Sequence, residues 1–158
     1  MTSIKKQFLN AALSVFVLTV LLVSGRIAAA QTDVVEIERD GSALAAMLRP
    51  LPDRDIVDTA LIFTNLRGGT AVVTCTAFGP QGNTLGRYRV RVPESGLRFI
   101  LASDISSGGD FVGSARCLSI GDVTGSAYLT GPQVTDMRVR QQRGPQGGWI
   151  TFPVVATY

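Results

Sequence analysis

The chain has 158 residues, with 15 basic and 12 acidic side chains and no histidine. Without histidine, Ser–His and Cys–His nucleophilic catalysis and imidazole-based zinc or copper sites are excluded. Apolar residues make up 46% of the chain and charged residues 17%, which argues against disorder and favours one folded domain.

Residues 1–30 have the pattern of a secretory signal peptide. Lys5 and Lys6 form a positive start, residues 8–23 are largely apolar, and three alanines at 28–30 precede Gln31. An uncleaved membrane anchor is the alternative, but the apolar run includes three polar residues and is shorter than the ~20 residues that a spanning helix needs. Since no two arginines are adjacent, we expect Sec-type export to the periplasm or the extracellular space, with no membrane span after cleavage.

The predicted leader carries the whole net charge of +3, because Lys5, Lys6 and Arg26 are its only charged residues. The chain that follows it has twelve arginines, twelve acidic residues and no lysine. The missing lysine excludes Ser–Lys dyads and Schiff-base chemistry. The zero net charge argues against nucleic acid as a partner.

Residues 31–58 form an acidic N-terminal segment with a net charge of −4, whereas residues 59–158 carry +4. Residues 34–39 predict an edge strand, and residues 42–48 predict one or two helical turns with Ser42 as N-cap. One interpretation is that the acidic segment folds back onto, or competes for, a basic face of the main domain. The other interpretation is that it is ordinary solvated surface. We prefer the second interpretation, because exposed ion pairs are individually weak.

Three acidic residues of this segment, Asp53, Asp55 and Asp58, could offer oxygens to a calcium ion. They lack the glycine and the terminal glutamate of an EF-hand loop. A solvated acidic turn is therefore the preferred interpretation, and we predict neither a metal nor a cofactor.

From residue 59 onward, short β-type runs alternate with turn residues. The clearest alternation places Tyr88, Val90 and Val92 on one face of a strand. Residues 106–110 and 143–148 are predicted loops. The predicted strands are 60–65, 71–78, 87–92, 97–101, 111–120, 123–130, 134–139 and 149–158. Their spacing predicts an all-β fold over residues 59–158, an antiparallel β-sandwich of about seven to nine strands.

Cys75 and Cys117 each fall near the middle of a predicted strand, on its apolar face. In an exported domain such a pair most simply forms an internal disulfide. Two buried thiols or a redox pair are the alternatives, although a redox motif favours close spacing such as C-x-x-C.

Arg87, Arg89 and Arg91 alternate with the apolar face of their strand and form the sharpest exposed feature. Such a row could bind an anionic polysaccharide, lipid headgroups or an acidic partner, or it could only discourage aggregation at a sheet edge. Trp149, the only tryptophan, could stack on a sugar together with Phe152, although packing in the core or at an edge is the preferred interpretation.

Four segments in this order resemble those of bacterial secreted β-sandwich modules of the immunoglobulin-like kind. The segments are Ile62-Phe63-Thr64-Asn65, Phe78-Gly79-Pro80-Gln81-Gly82, Val92-Pro93-Glu94-Ser95-Gly96 and Phe111-Val112-Gly113-Ser114-Ala115. The resemblance covers about residues 59–130 and rests mostly on turn residues, and the two cysteines depart from the commoner pattern. It implies a structural or surface-associated domain and transfers no catalytic residue.

The leading hypothesis is therefore an exported, non-catalytic structural or interaction module of the bacterial envelope, with an envelope protein as its partner. The alternative is a binding module for an anionic glycan or envelope polymer, which would use Arg87, Arg89, Arg91 and Trp149. An exported carboxylate-based hydrolase is a distant third.

Overall fold

The structure is a computed structural model that describes residues 34–52, 55–106, 109–144 and 147–157. The predicted signal peptide and Asp53 lie outside the described residues. Within these four ranges, no helix combines the length and the apolarity that crossing a membrane requires.

The described residues form ten strands and two short helices. In chain order they are β1 (Val34–Glu36), α1 (Gly41–Met47), β2 (Val57–Asn65), β3 (Ala71–Phe78), β4 (Thr84–Val92), β5 (Leu97–Leu101), α2 (Ala102–Ser106), β6 (Phe111–Ile120), β7 (Val123–Thr130), β8 (Thr135–Met137), β9 (Arg140–Gly144) and β10 (Gly147–Thr157).

The all-β prediction is confirmed, with four differences in detail. Ten strands are described instead of seven to nine, and β1 pairs with β4 in parallel, so the sheet is mixed. The predicted loop 106–110 begins inside α2. The predicted loop 143–148 is narrower than expected, because β9 and β10 pair with each other up to Gly144 and Gly147.

The strands are arranged in two layers that face each other. The larger layer has the order β1-β4-β3-β6-β10-β9, and the smaller one has the order β5-β2-β7-β8. The end of β10 also pairs with the start of β2, which joins the layers into one hydrogen-bonded path. The arrangement is a β-sandwich whose two layers are joined along one corner.

Apolar side chains of the two inner faces form the main core. The rings of Phe63 in β2 and Phe152 in β10 meet edge to face, with centroids 5.5 Å apart. Gly125 in β7 lets the layers approach closely, because a Cβ there would lie 2.6 Å from Ile150 Cγ2 and 2.7 Å from Phe152 Cζ. The strict alternation of buried and part-buried residues along β3 follows from one face packing in this core.

The predicted disulfide between Cys75 and Cys117 is present. The two residues lie directly opposite each other in the antiparallel pair of β3 and β6, with Cα atoms 3.9 Å apart. Both are fully buried in the main core. The bond therefore links neighbouring strands of one layer and does not bridge the two layers, and it indicates an oxidising compartment.

The acidic N-terminal segment folds back onto the sandwich. β1 pairs with Arg87 to Arg89 of β4, and the backbone N–H of Ile37 donates to the carbonyl of Arg89 at 3.0 Å. Further along, Asp40 forms an isolated bridge with Arg98 of β5. The segment thus runs from the edge of one layer to the edge of the other: its backbone pairs with the sandwich, while the side chains of β1 stay exposed to solvent.

Helix α1 begins two residues earlier than the sequence suggests. Its N-cap is Asp40 and not Ser42, because the Asp40 carboxylate accepts hydrogen bonds from the backbone N–H groups of Ser42 and Ala43. These bonds hold the pKa of Asp40 below its ordinary value, the hydroxyl of Ser42 being the largest cause. Leu48 closes the last turn just before Pro50, which cannot continue a helix.

Candidate functional site

The three arginines predicted to share a strand face do so. Along β4, Arg87, Arg89 and Arg91 are exposed, whereas Tyr88, Val90 and Val92 are buried. Because β4 lies in the larger layer, its arginines point away from the partner layer. They belong to the outer face of the larger layer, which we call the arginine face.

The strand register adds two further arginines to the arginine face. Thr76 of β3 lies opposite both Arg87 and Arg116, and Thr151 of β10 lies opposite both Arg116 and Arg140. Residues directly opposite each other in a sheet point to the same side. Arg116 of β6 and Arg140 of β9 therefore share the face with Arg87, and both are exposed.

Trp149 lies on the same face, but not beside the β4 arginines. It pairs with Leu118 of β6, which pairs with Thr74, and Thr74 pairs with Arg89. Three strand spacings separate Trp149 from Arg89, about 14 Å at ~4.8 Å for each spacing.

The Trp149 side chain contacts Arg116, whose guanidinium carbon lies 4.2 Å from the centroid of the indole ring. This is a cation–π contact, which orients the guanidinium and leaves 39% of Trp149 exposed. Phe152, the other aromatic residue considered for sugar stacking, is fully buried and packs on Phe63 instead.

A groove of about 490 Å³ lies next to this contact. Its walls are formed by Arg116, Trp149, Thr151 and the β9 residues Arg140, Gln141 and Gln142. The groove therefore presents two guanidinium groups, a hydroxyl, an indole ring and the side-chain amide of Gln142 to one ligand-sized space, whereas the amide of Gln141 bonds to the backbone of Val123 and Gly125 in β7. These groups donate hydrogen bonds or stack, and none of them is an acid or a base that titrates near neutral pH.

Most of the positive charge on the arginine face is not compensated by the residues that the structure describes. Arg91 forms an ion pair with Glu36 of β1, at the edge of the face. Within the described ranges, no ion pair involves Arg87, Arg89, Arg116 or Arg140. Four exposed guanidinium groups thus share one face with a single paired carboxylate.

The same face also exposes apolar side chains: besides Trp149 and Val34, which lies opposite Arg87, three of them are on β6. Val112 is 59% exposed, Leu118 37% and Ile120 65%. They alternate along β6 with the buried Ala115 and Cys117, so they are exposed because they point to the outer side of the strand. Arginine and apolar residues are therefore interleaved across β6.

A larger groove of about 560 Å³ lies at one end of the sandwich, where it reaches Ile120 of the arginine face. It is lined by glycine-rich turns and by Arg67, Asp122 and Arg143. Both arginines lie against the same carboxylate: Arg67 Nε is 2.9 Å and Arg143 Nη1 is 3.9 Å from oxygens of Asp122. Since both of its arginines are held by the Asp122 carboxylate, this groove is less suited to an anion than the arginine face, in spite of its size.

Two carboxylates at the junction of the layers have partners within the fold. Asp104 of α2 accepts hydrogen bonds from Arg39 Nε and Nη2, at 3.0 and 2.6 Å, and from the backbone of Leu101. Asp58 of β2 accepts from the backbone N–H of Ser103 at 3.1 Å, and burial raises its pKa. These bonds fix the ends of strands and the N-terminal segment. Among the described residues, no group of three or more potential protein ligands is arranged for a metal ion.

Sequence reasoning found four of the residues on the arginine face and missed two. Arg116 had a usable signal, since it alternates with Ala115 and Cys117 in a predicted strand. Arg140 had none, because β9 is polar throughout and exposed at four of its five residues. Comparisons with protein-family models, with curated proteins and with solved structures gave no match.

Proposed function

We propose that this protein is an exported, non-catalytic binding module whose arginine face holds an anionic polymer of the cell envelope, such as an acidic polysaccharide. The observation that carries the proposal is the convergence of Arg87, Arg89, Arg91, Arg116 and Arg140 on one sheet face, four of them without an ion pair in the described residues.

The chemistry of the face supports an extended ligand. Guanidinium groups donate paired hydrogen bonds to carboxylate or phosphate and stay charged at every physiological pH. Each such contact is weak while it is exposed to water, so useful affinity requires a ligand that meets several of them at once. A polymer meets that condition and a small anion does not. Trp149 adds an apolar surface on which a sugar ring can stack.

The proposed location agrees with the disulfide. A bond between Cys75 and Cys117 persists in an oxidising compartment, and the predicted signal peptide supplies the route, by Sec-type export to the periplasm or the exterior. The resemblance to secreted immunoglobulin-like modules is consistent with such a role and stays an expectation.

A protein partner is the second candidate function, and the exposed apolar residues of β6 favour it. Arginine, tryptophan and apolar side chains in one patch are typical of the centres of protein interfaces. Ile120 and Val112 would be buried by such a partner, whereas a polysaccharide would leave them in water.

Binding of the exported, oxidised protein to immobilised polygalacturonate, with neutral dextran as reference, tests the first candidate. We expect binding to polygalacturonate only, and we expect it to weaken steeply between low and physiological salt, because exposed charges are screened within ~8 Å at 0.15 M. Replacing Arg87, Arg89 and Arg91 by serine should reduce binding at least tenfold, which is about 1.4 kcal/mol.

The matched control removes the same charge elsewhere, by changing Arg49, Arg67 and Arg143 to serine, and it should bind like the wild type. Equal losses in both triple variants would reduce the effect to net charge and reject a site on the arginine face. For the protein-partner candidate, Ile120→Ser should abolish capture of a partner from envelope extracts while polygalacturonate binding is retained.

A further inference from the structure

One row of the arginine face crosses five neighbouring strands and alternates two residue types. In spatial order it consists of Arg87 on β4, Thr76 on β3, Arg116 on β6, Thr151 on β10 and Arg140 on β9. The three arginines are exposed and the two threonines are partly buried. No acidic residue belongs to the row.

The register gives this row a period different from that of β4. Adjacent strands are ~4.8 Å apart, so arginines on every second strand repeat at about 10 Å. Along β4, the arginines repeat every two residues, at about 6.6 Å. The face therefore offers two charge spacings at right angles, and only the longer one has a hydroxyl between successive charges.

We propose that the ligand of the arginine face is a linear polysaccharide with one acidic group on every second sugar, lying across the strands along this row. The inference rests on the function proposed above and names the class of polymer. The longer period is comparable to the length of an extended disaccharide, so each acidic sugar meets an arginine. The neutral sugar between them meets a threonine, whose hydroxyl both donates to and accepts from sugar hydroxyls.

The groove beside Trp149 marks one end of this path. Arg116 and Arg140 lie on its two sides with Thr151 between them, so one disaccharide repeat of the row fits into the groove. The Arg116 guanidinium lies over the indole ring, and this contact restricts the Arg116 side chain before any ligand binds. Less conformational entropy is therefore lost when Arg116 contacts the polysaccharide. Because sheets twist by about 20–25° per strand, the bound chain must wind along the row, which a linear polysaccharide can do.

Single substitutions on β4 distinguish the contribution of the row to binding from that of the rest of the arginine face. Arg87 and Arg89 are two residues apart, are both exposed and have no ion pair in the described residues, but only Arg87 belongs to the row. With hyaluronan oligosaccharides, whose acid falls on every second sugar, Arg87→Ser and Arg116→Ser should each weaken binding about tenfold, or ~1.4 kcal/mol. Arg89→Ser, the matched control, should weaken it less than about threefold, a difference typical of an exposed charge.

Thr76 supplies a test that leaves the charge unchanged. Thr76→Val removes the hydroxyl and keeps the shape, and we expect it to weaken binding of hyaluronan oligosaccharides about threefold to tenfold, as the loss of one hydrogen bond does. Thr76→Ser should restore most of the affinity. Thermal denaturation of each variant identifies any loss that is due to unfolding.

The outcomes separate this inference from the function on which it rests. If oligogalacturonate of the same length, with an acid on every sugar, binds as well as hyaluronan and Arg87→Ser equals Arg89→Ser, the row is rejected and a general polyanion-binding face stands. If neither oligosaccharide nor the polymers bind at low salt, both proposals fail. If binding is confined to a protein from the envelope, the second candidate function replaces both.

Discussion

The outer face of the smaller layer is covered, whereas no element in the described part of the chain covers the outer face of the larger layer. Helix α1 packs Leu44, with Met47 and Leu48 beside it, onto a cluster that includes Ile62 of β2 and Phe99 of β5. On the larger layer, the corresponding outward positions interleave arginine and threonine with exposed apolar side chains, and no helix of the described residues lies over them. The apolar outward residues of the smaller layer gain by being covered, whereas the guanidinium groups of the larger layer gain by staying in water.

This comparison assigns different roles to the two faces. The covered face contributes to stability, since its side chains are removed from water. The face without a described cover contributes less to stability, and four of its five arginines form no ion pair within the described residues. Substitutions should therefore separate the faces: those under α1 should change unfolding and leave binding intact, and those on the arginine face should do the reverse.

The largest expected effect is that of Phe99→Ala on the covered face. Phe99 is fully buried, and truncation of a buried phenylalanine costs about 3–5 kcal/mol. Leu118→Ala, on the arginine face, is the control, because Leu118 is 37% exposed and its truncation should cost less than about 1 kcal/mol. Urea denaturation followed by tryptophan fluorescence measures both. Comparable losses would mean that the arginine face is also a packed surface, and the comparison would fail.

The next effect concerns the disulfide beneath the arginine face. Replacing both Cys75 and Cys117 by alanine should lower the free energy of unfolding by about 2–4 kcal/mol, because the bond closes a loop between residues 42 positions apart in sequence. Binding of polyanions at temperatures well below the midpoint should persist, since the register of β3 and β6 is also held by their backbone pairing. Loss of binding in the folded double-alanine variant would show that the arrangement of the row depends on the disulfide.

The elements of both layers were largely predictable, because their inner faces repeat with a period of two. The same period placed Cys75 and Cys117 on apolar faces and predicted their bond, and it placed Arg87, Arg89 and Arg91 on one outer face. A period describes a single strand, however, and does not say which strand lies beside which. The row from Arg87 to Arg140 depends on four pairings, and two of them, Thr76 with Arg116 and Arg116 with Thr151, join strands that do not follow each other in the chain, so the sequence could not predict it.

The N-terminal segment was less predictable, for a related reason. β1 has three residues, all exposed, so no apolar pattern indicates where it pairs. The start of α1 was misassigned because Asp40 and Ser42 are both good N-cap residues. The bridge between Asp40 and Arg98 holds residue 40 in an extended conformation, which leaves Asp40 to cap the helix. In each case a contact with a distant strand decided between local alternatives.

The N-terminal segment connects the two faces, since it carries β1 at the edge of the arginine face and continues into α1. Asp104→Asn weakens the bidentate pair with Arg39 and should cost about 1–2 kcal/mol, as the loss of a charge-assisted hydrogen bond does. Amide hydrogen exchange should accelerate at Ile37 and Phe99, whose N–H groups bond to Arg89 and Arg39.

Asp122→Asn is the control for this prediction. Asp122 pairs with Arg67, whose side chain is 78% exposed, so the loss should stay below about 1 kcal/mol. Exchange at Ile37 should then be unchanged. If Asp104→Asn leaves exchange at Ile37 and Phe99 at wild-type rates, the segment is held by its backbone pairing alone, and the ion pair does not fasten it.

The smallest expected effect is a pH dependence at the junction of the layers, where Asp58 pairs with Ala156 of β10. Burial raises the pKa of Asp58, although the N–H of Ser103 partly opposes the shift. A carboxyl group whose pKa is higher in the folded state than in the unfolded chain stabilises the fold below its unfolded pKa, and that contribution is lost as the pH rises through the folded value. Asp58→Asn cannot ionise and keeps an oxygen that accepts from Ser103. Its midpoint temperature should therefore match the wild type near pH 3 and exceed it increasingly toward pH 7.

Asp40 supplies a control of opposite sign on the same chain. Its pKa is lowered by the hydrogen bonds from Ser42 and Ala43, so its contribution to stability is present above the unfolded pKa and is lost as the pH falls through the lowered value. The deficit of Asp40→Ala should accordingly be greatest at neutral pH and shrink toward pH 3. Midpoint temperatures of wild type and both variants from pH 3 to pH 7 measure the two trends. A wild-type advantage over Asp58→Asn that grows with pH would mean that the Asp58 carboxylate is stabilised at the junction, and that burial does not govern its ionisation.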